Sequence, residues 1–391
     1  MHVSDLTRVG RRWAVVVLAL LVVAVPASAM PTIDTAARHA ILIDTTTGAV
    51  LLEKDADVPI PPASMSKIMT AFMVFERLEE GRLTLDDVLA VSVNAWRRGG
   101  AASGGSTMFL DPNSQARVED LLRGVIIQSG NDASIVLAEG LAGSEAGFAA
   151  EMTVRGRELG LTHSSFRNAT GLPDPDHRMS ARDIARVAQR IIEDFPQYYP
   201  FYSETEFTYN GIRQGNRNPL LYRNIGADGL KTGFTRESGY GLAASAMQGD
   251  RRLILVVNGL ESLRQRTQET ERLMAWGFRE FDNYQLAAEG EAIAEAEVWL
   301  GTSRTVPLVG AHGLVVTLPR AARPEMTVTV RYDGPIPAPI EKGQHIGTLV
   351  VSAPDVPSAE VPLVAGESVE RLGLMRRLFA ALTHFIMSQI S

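Results

Sequence analysis

The chain contains no cysteine, which excludes disulfides, thiol catalysis and cysteine-held zinc together. It is also poor in lysine: of 38 basic residues only Lys54, Lys67, Lys231 and Lys342 are lysines, and the rest are arginines. Arginine does not deprotonate in proteins and so cannot serve as a base; against that bias each retained lysine invites a chemical explanation. Histidine is scarce, with seven residues scattered and no H-E-x-x-H. His163 and His177 read as loop hydrogen-bonders rather than ligands, and no metal or other cofactor is expected. The net charge of −7 comes with no basic tract, so no nucleic-acid partner is expected. Internal repeats and low-complexity tracts are absent, which leaves an ordinary globular composition.

Long apolar runs are missing as well. The stretch from Ala14 to Val25 falls short of the ~20 residues a spanning helix needs. Arg8, Arg11 and Arg12 precede it, and Pro26 and the small triplet Ala27-Ser28-Ala29 follow. That is the pattern of a signal peptide cleaved after Ala29, so the chain reads as exported.

What is present is enough for two folded units: 391 residues, 45% of them hydrophobic, allow a large core and a second, smaller domain. His39–Asp44 and Val50–Glu53 flank Thr45-Thr46-Thr47-Gly48 and predict a hairpin. Between Ser64 and Glu80, Ile68, Phe72, Phe75 and Leu78 recur at helical spacing, thickened by Met69 and Met73, so a buried helix is predicted with Ser64 in its first turn. Residues 97–114 read as a Gly/Ser-rich connection. Helices are predicted over 118–128 and 132–140 with Ser129-Gly130-Asn131 as the turn between them, then over 146–159 and 180–193. The last opens on Ser180-Ala181-Arg182-Asp183, a capping-box pattern. Strands are predicted over 229–234, 239–246 and 252–257, followed by a helix over 269–280. From Asn283 onward, short Val-, Ile- and Thr-rich runs alternate with Pro and Gly and predict a small all-β domain. Residues 367–391 return to helical period: Leu372, Met375, Phe379, Leu382, Ile386 and Ile390 share a face, and Arg371, Arg376 and Arg377 cluster near the start. This suits a helix lying in a headgroup layer, with a helix docked on its own domain as the alternative.

Three short motifs carry chemistry. In Ser64-Met65-Ser66-Lys67 the first and last residues are one helical turn apart. A lysine amine there can take the proton of a serine hydroxyl if its surroundings depress its pKa. Ser129-Gly130-Asn131 can aim a hydroxyl and a carboxamide into a cleft; the carboxamide offers both donor and acceptor to a substrate amide. Lys231-Thr232-Gly233, on a predicted strand, supplies a cation and a hydroxyl for a carboxylate, and a glycine that lets a substrate backbone approach. Each alone is common in chains of this length.

Together, in this order and 65 and 102 residues apart, S-x-x-K, S-x-N and K-T-G resemble the penicillin-binding protein and serine β-lactamase superfamily. Pro62 to Thr70, Gln128 to Ala133, Asp228 to Thr235 and Trp276-Gly277-Phe278 resemble the low-molecular-mass D-alanyl-D-alanine carboxypeptidases. The resemblance implies an α/β (α+β) fold: a transpeptidase-like domain over 30–282 with an antiparallel sheet and a helical lobe, an all-β domain over 283–366 and the amphipathic helix over 367–391. It implies Ser64 as nucleophile, Lys67 as its base and Ser129 as proton relay. Asn131, Lys231, Thr232, Gly233 and Phe234 would bind substrate, and the N–H groups of Ser64 and Phe234 would form the oxyanion hole. It implies a peptidoglycan pentapeptide stem as substrate, β-lactams as covalent inhibitors, and residence at the periplasmic face of the inner membrane. D,D-endopeptidase and β-lactamase activity, and a wall-binding or penicillin-sensing role with little turnover, are the alternatives. Against the lactamase, Asn168 to His177 has no Glu. Two departures stand out. Phe234 follows K-T-G where several relatives have His. After Asn258-Gly259 no Arg stands where some relatives hold the carboxylate, which leaves Arg264 or Arg266 as replacements.

Overall fold

The computed structural model describes residues 32–311, 313–354 and 356–373. The expected signal peptide and residues 374–391 of the expected tail helix lie outside them.

A five-stranded antiparallel sheet forms the frame. Its strands are β1 (His39–Asp44), β2 (Val50–Lys54), β3 (Ala227–Thr235), β4 (Gly239–Gln248) and β5 (Arg251–Leu260), in the order β2-β1-β5-β4-β3. The chain therefore leaves the sheet after β2 and returns as a three-strand meander whose first strand is the free edge. β5 shows why the sheet is covered on both faces, since side chains alternate across a strand. Ile254 and Val256 enter a core shared with the helical lobe, while Leu253, Leu255 and Val257 enter a second core with Leu273, Met274, Trp276 and Phe278.

The second core belongs to one helix, Leu263–Glu280, capped where the Ser262 hydroxyl accepts the Gln265 N–H; it begins six residues before the predicted start. The helical lobe contains Lys67–Glu79, Val118–Arg123, Asn131–Ala142, Glu145–Glu158 and Ala181–Asp194. The capping box predicted at Ser180 is half made. Ser180 accepts the Asp183 N–H at 3.1 Å, but the Asp183 carboxylate turns to the His163 N–H and the Ser164 hydroxyl. The 97–114 connection is corrected as well: a helix, Val93–Gly99, runs into it. Gly99 belongs there because a Cβ would stand 2.2 Å from the Asp132 nitrogen, so close helix packing, not looseness, explains the small residue. The hairpin Glu206–Tyr209 with Ile212–Gly215 was not foreseen.

Beyond Glu280 the described residues are mainly β, with one 3-10 helix at Arg320–Glu325. Phe281–Ala287 pairs with Leu314–Pro319, and six further strands form a sheet around Val306, Leu308, Leu349, Val351 and Leu363. Its contacts extend past Gly366: Val369 is buried and bridges Ile340, and the Leu372 N–H donates to the Leu300 carbonyl. The two units meet through a buried polar junction. Arg251 donates to the Asp44 carboxylate at 2.6 Å and to the Phe281 carbonyl at 2.7 Å, and Asn283 donates to Asp44 at 3.2 Å.

Candidate active site

The site lies where the 3-10 turn Ala63–Ser66, the edge strand β3 and the turn at Ser129 converge. A cleft of about 480 Å³ opens there, lined by Ser64, Ser129, Thr232, Gly233 and Phe234. Lys67, Asn131 and Lys231 stand buried behind its wall. The structure thus brings all eight residues singled out in the sequence to one place.

Lys67 begins its helix and is 1% exposed. Its Nζ lies 3.1 Å from Ser64 Oγ, 2.8 Å from Asn131 Oδ1 and 2.5 Å from the Thr170 carbonyl. Burial pushes its pKa down from 10.5 to about 7, with the Arg217 charge adding to the effect and Glu145 and Asp132 opposing it. A neutral amine has two hydrogens and one lone pair. Asn131 Oδ1 and the Thr170 carbonyl can only accept, so they take both hydrogens, and the lone pair is left for the Ser64 hydroxyl.

Ser129 takes its position from backbone geometry. Residues 124–128 form one π-helical turn, and Ser129 follows at φ 66°, ψ 31°, a left-handed conformation that non-glycine residues adopt rarely and often at functional sites. Its Oγ is buried with no hydrogen-bond partner among the described residues. Asp132, one turn on, anchors the facing loop by accepting from Thr107 Oγ1 and from the Met108 and Leu110 N–H groups. On β3, Lys231 is 2% exposed, and its pKa lies well below the usual range through burial and then the Lys67 charge.

Residues 24–262 match the family described as D-alanyl-D-alanine carboxypeptidase, more than half of the chain, and residues 281–371 match the C-terminal domain of penicillin-binding protein 5. The chain belongs to the D-alanyl-D-alanine carboxypeptidase family. It is 40% identical over 352 residues to the D-alanyl-D-alanine carboxypeptidase DacC of Escherichia coli, covering 89% of this chain and 88% of that one. To DacF of Bacillus subtilis it is 33% identical, covering 87% of each. Among solved structures, penicillin binding protein 5 from Haemophilus influenzae superposes with a TM-score of 0.81 at 36% identity, over 87% of this chain and 99% of that one. Penicillin-binding protein D2 from Listeria monocytogenes, in its ampicillin-bound form, superposes with a TM-score of 0.56 at 30% identity, over 64% of this chain and all of that one.

Within this carboxypeptidase fold the structure sharpens two sequence expectations. Gly233, expected to make room for substrate, lines the cleft, and a Cβ there would also meet Pro62 O at 3.0 Å and the Met65 side chain and nitrogen at 3.1 and 3.2 Å. The missing side chain lets β3 press against the turn that carries Ser64. Asn131 was expected to offer both halves of its carboxamide; with Oδ1 engaged by Lys67, the amide donor is what remains. As for the carboxylate, Arg266 lines the cleft, is buried and keeps an Nε with no hydrogen-bond partner among the described residues; Arg264 is exposed and is not among the residues that line it.

Several members of the site escaped sequence reasoning. Arg217, which lines the cleft and donates to Ser106 Oγ at 2.5 Å, is one arginine among many in the chain and has no motif around it. The Thr170 carbonyl belongs to the backbone and leaves no trace in residue type. The Asn168 side chain builds its turn by accepting the Thr170 and Gly171 N–H groups at 3.1 and 2.7 Å. His177, expected as a loop hydrogen-bonder, is one, and it is buried. Its Nδ1 accepts the Arg167 N–H at 3.2 Å, so Nε2 carries the proton and donates to Ser66 Oγ at 2.7 Å. Burial lowers its pKa to about 4, which keeps the ring neutral. The second serine of Ser64-Met65-Ser66-Lys67 was the available signal for it.

Proposed function

We propose that the chain is a serine D-Ala-D-Ala carboxypeptidase that removes the terminal D-alanine of peptidoglycan stem peptides through an acyl-enzyme on Ser64. The observation that carries this reading is the buried Lys67 amine 3.1 Å from Ser64 Oγ, with its lone pair left for the hydroxyl proton. Lys67 takes that proton as Ser64 Oγ attacks the carbonyl of the penultimate D-alanine. The N–H groups of Ser64 and Phe234 stabilise the oxyanion, and the Asn131 amide holds the peptide upstream of the scissile bond. Thr232 and Arg266 hold the terminal carboxylate. Collapse breaks the C–N bond, and the departing amine receives its proton through Ser129, whose field Lys231 tunes. Water then hydrolyses the ester and regenerates Ser64. A β-lactam acylates the same oxygen as its ring amide opens. The leader ending at Ala29 takes the chain to the periplasm, and residues 374–391 hold it at the membrane surface.

The test pairs mass spectrometry after penicillin exposure with D-alanine release from a pentapeptide. The expected result is a single adduct on Ser64 and stoichiometric, continuing release. An adduct elsewhere, or labelling with no release, overturns the reading; labelling without turnover would point to a sensor.

A further inference from the structure

A second groove of about 570 Å³ adjoins the catalytic cleft and shares Phe234 and Tyr240 with it. Phe234, 50% exposed, stacks on Tyr240 with ring centroids 4.2 Å apart, so the two rings form the sill between the spaces. Beyond the sill the lining charges are Arg38, Arg236 and Glu261. Neither arginine has a carboxylate partner among the described residues. Arg38 is held in place: it donates to the Glu237 and Ser238 carbonyls at 3.1 and 2.9 Å. It also lies over Gly259, where a Cβ would stand 2.4 Å from its Nε. Glu237, the nearest acid in sequence, is turned to Arg178 at 3.4 Å.

We propose that this groove is a subsite for a carboxylate carried by the peptide upstream of the scissile bond. The inference rests on the carboxypeptidase reading. A peptide lying antiparallel to β3 with its terminal carboxylate at Thr232 runs its upstream residues past Phe234 toward Arg236. There the aromatic sill supports its apolar portion. Two guanidinium groups against one carboxylate leave an excess positive charge, and the planar arginine fork matches a carboxylate. The groove therefore selects among stem peptides by the acid they carry near the third residue, while the cleft performs the chemistry.

The experiment compares two acetyl-L-lysyl-D-alanyl-D-alanine peptides, one bearing succinate on the lysine Nε through one of its carboxyls, the other its terminal amide. The enzyme is expected to favour the acid in kcat/KM by about three- to tenfold, chiefly through KM, with the preference falling as salt rises. Arg38→Gln with Arg236→Gln should bring the ratio close to one, and Arg236→Glu should reverse it; penicillin labelling of Ser64 reports that each variant is folded. Equal turnover of the two peptides by the parent enzyme, or a preference retained in the double variant, overturns the subsite alone. Release from neither peptide overturns the carboxypeptidase reading and the subsite with it.

Discussion

Lys67 meets two demands at once, a positive charge near neutrality removed by burial and a lone pair aimed at one hydroxyl. Arginine preserves the charge and removes the basicity, so Lys67→Arg is expected to lower the penicillin acylation rate by at least about a hundredfold while circular dichroism stays unchanged. Normal labelling of that variant would sink the base assignment. The parent enzyme should acylate faster as pH rises through about 7, the value to which burial brings this amine, and then level off. Stability follows the same group with a definite sign. Between pH 10.5 and about 7 the unfolded chain protonates this lysine and the folded chain does not, so its contribution diminishes as pH falls across that window and is constant below it. S-x-x-K offered the two residues, their spacing and the need for a depressed pKa, but not the burial that depresses it or the Thr170 carbonyl that claims one hydrogen of the amine.

At the scale of elements, the site is a set of close backbone approaches. Gly171 shows the limit: at φ +74° its Cβ would fall 1.9 Å from the Ala63 carbonyl, so the loop that presents Thr170 presses directly on the turn that presents Ser64. Gly171→Ala is expected to destabilise the fold by roughly 2 kcal/mol or more and to slow acylation, because the turn and the loop must part. Chemical denaturation and the rate of penicillin labelling check this, and a variant unchanged in both would refute the coupling. Helices with strong period, such as Ala181–Asp194, were legible because one face is apolar, and the meander β3-β4-β5 because short apolar runs are bounded by glycine-containing turns. The helix Val93–Gly99 was not legible, since its glycine and alanine serve interhelical contact and look in sequence like a loop. The Glu206–Gly215 hairpin was legible and was missed: Glu206 to Tyr209 alternates polar and apolar residues, and Asn210-Gly211, both at positive φ, is a two-residue hairpin turn.

At the scale of the whole molecule, the β domain closes on residues that the sequence assigned to the tail. Val369 fills its core and Leu372 completes its edge, so a cut at the expected boundary, after Gly366, would damage the domain. A chain ending at Gly373 is the better test of the tail: it should keep full penicillin labelling and move to the soluble fraction, whereas the full chain sediments with membranes. Equal sedimentation of both forms would remove residues 374–391 as the anchor. Residue type and spacing along the chain were sufficient to single out the Ser64–Lys67 pair and the two companion motifs that the structure brings together, and the fold class, because local periodicity and motif order are one-dimensional properties. The tertiary structure alone decided which arginines reach the cleft, which half of the Asn131 amide is free, why Gly233 is a glycine and where the β domain ends. Each of these depends on contacts between segments tens to hundreds of residues apart, where the distance and direction of an atom matter more than its residue type.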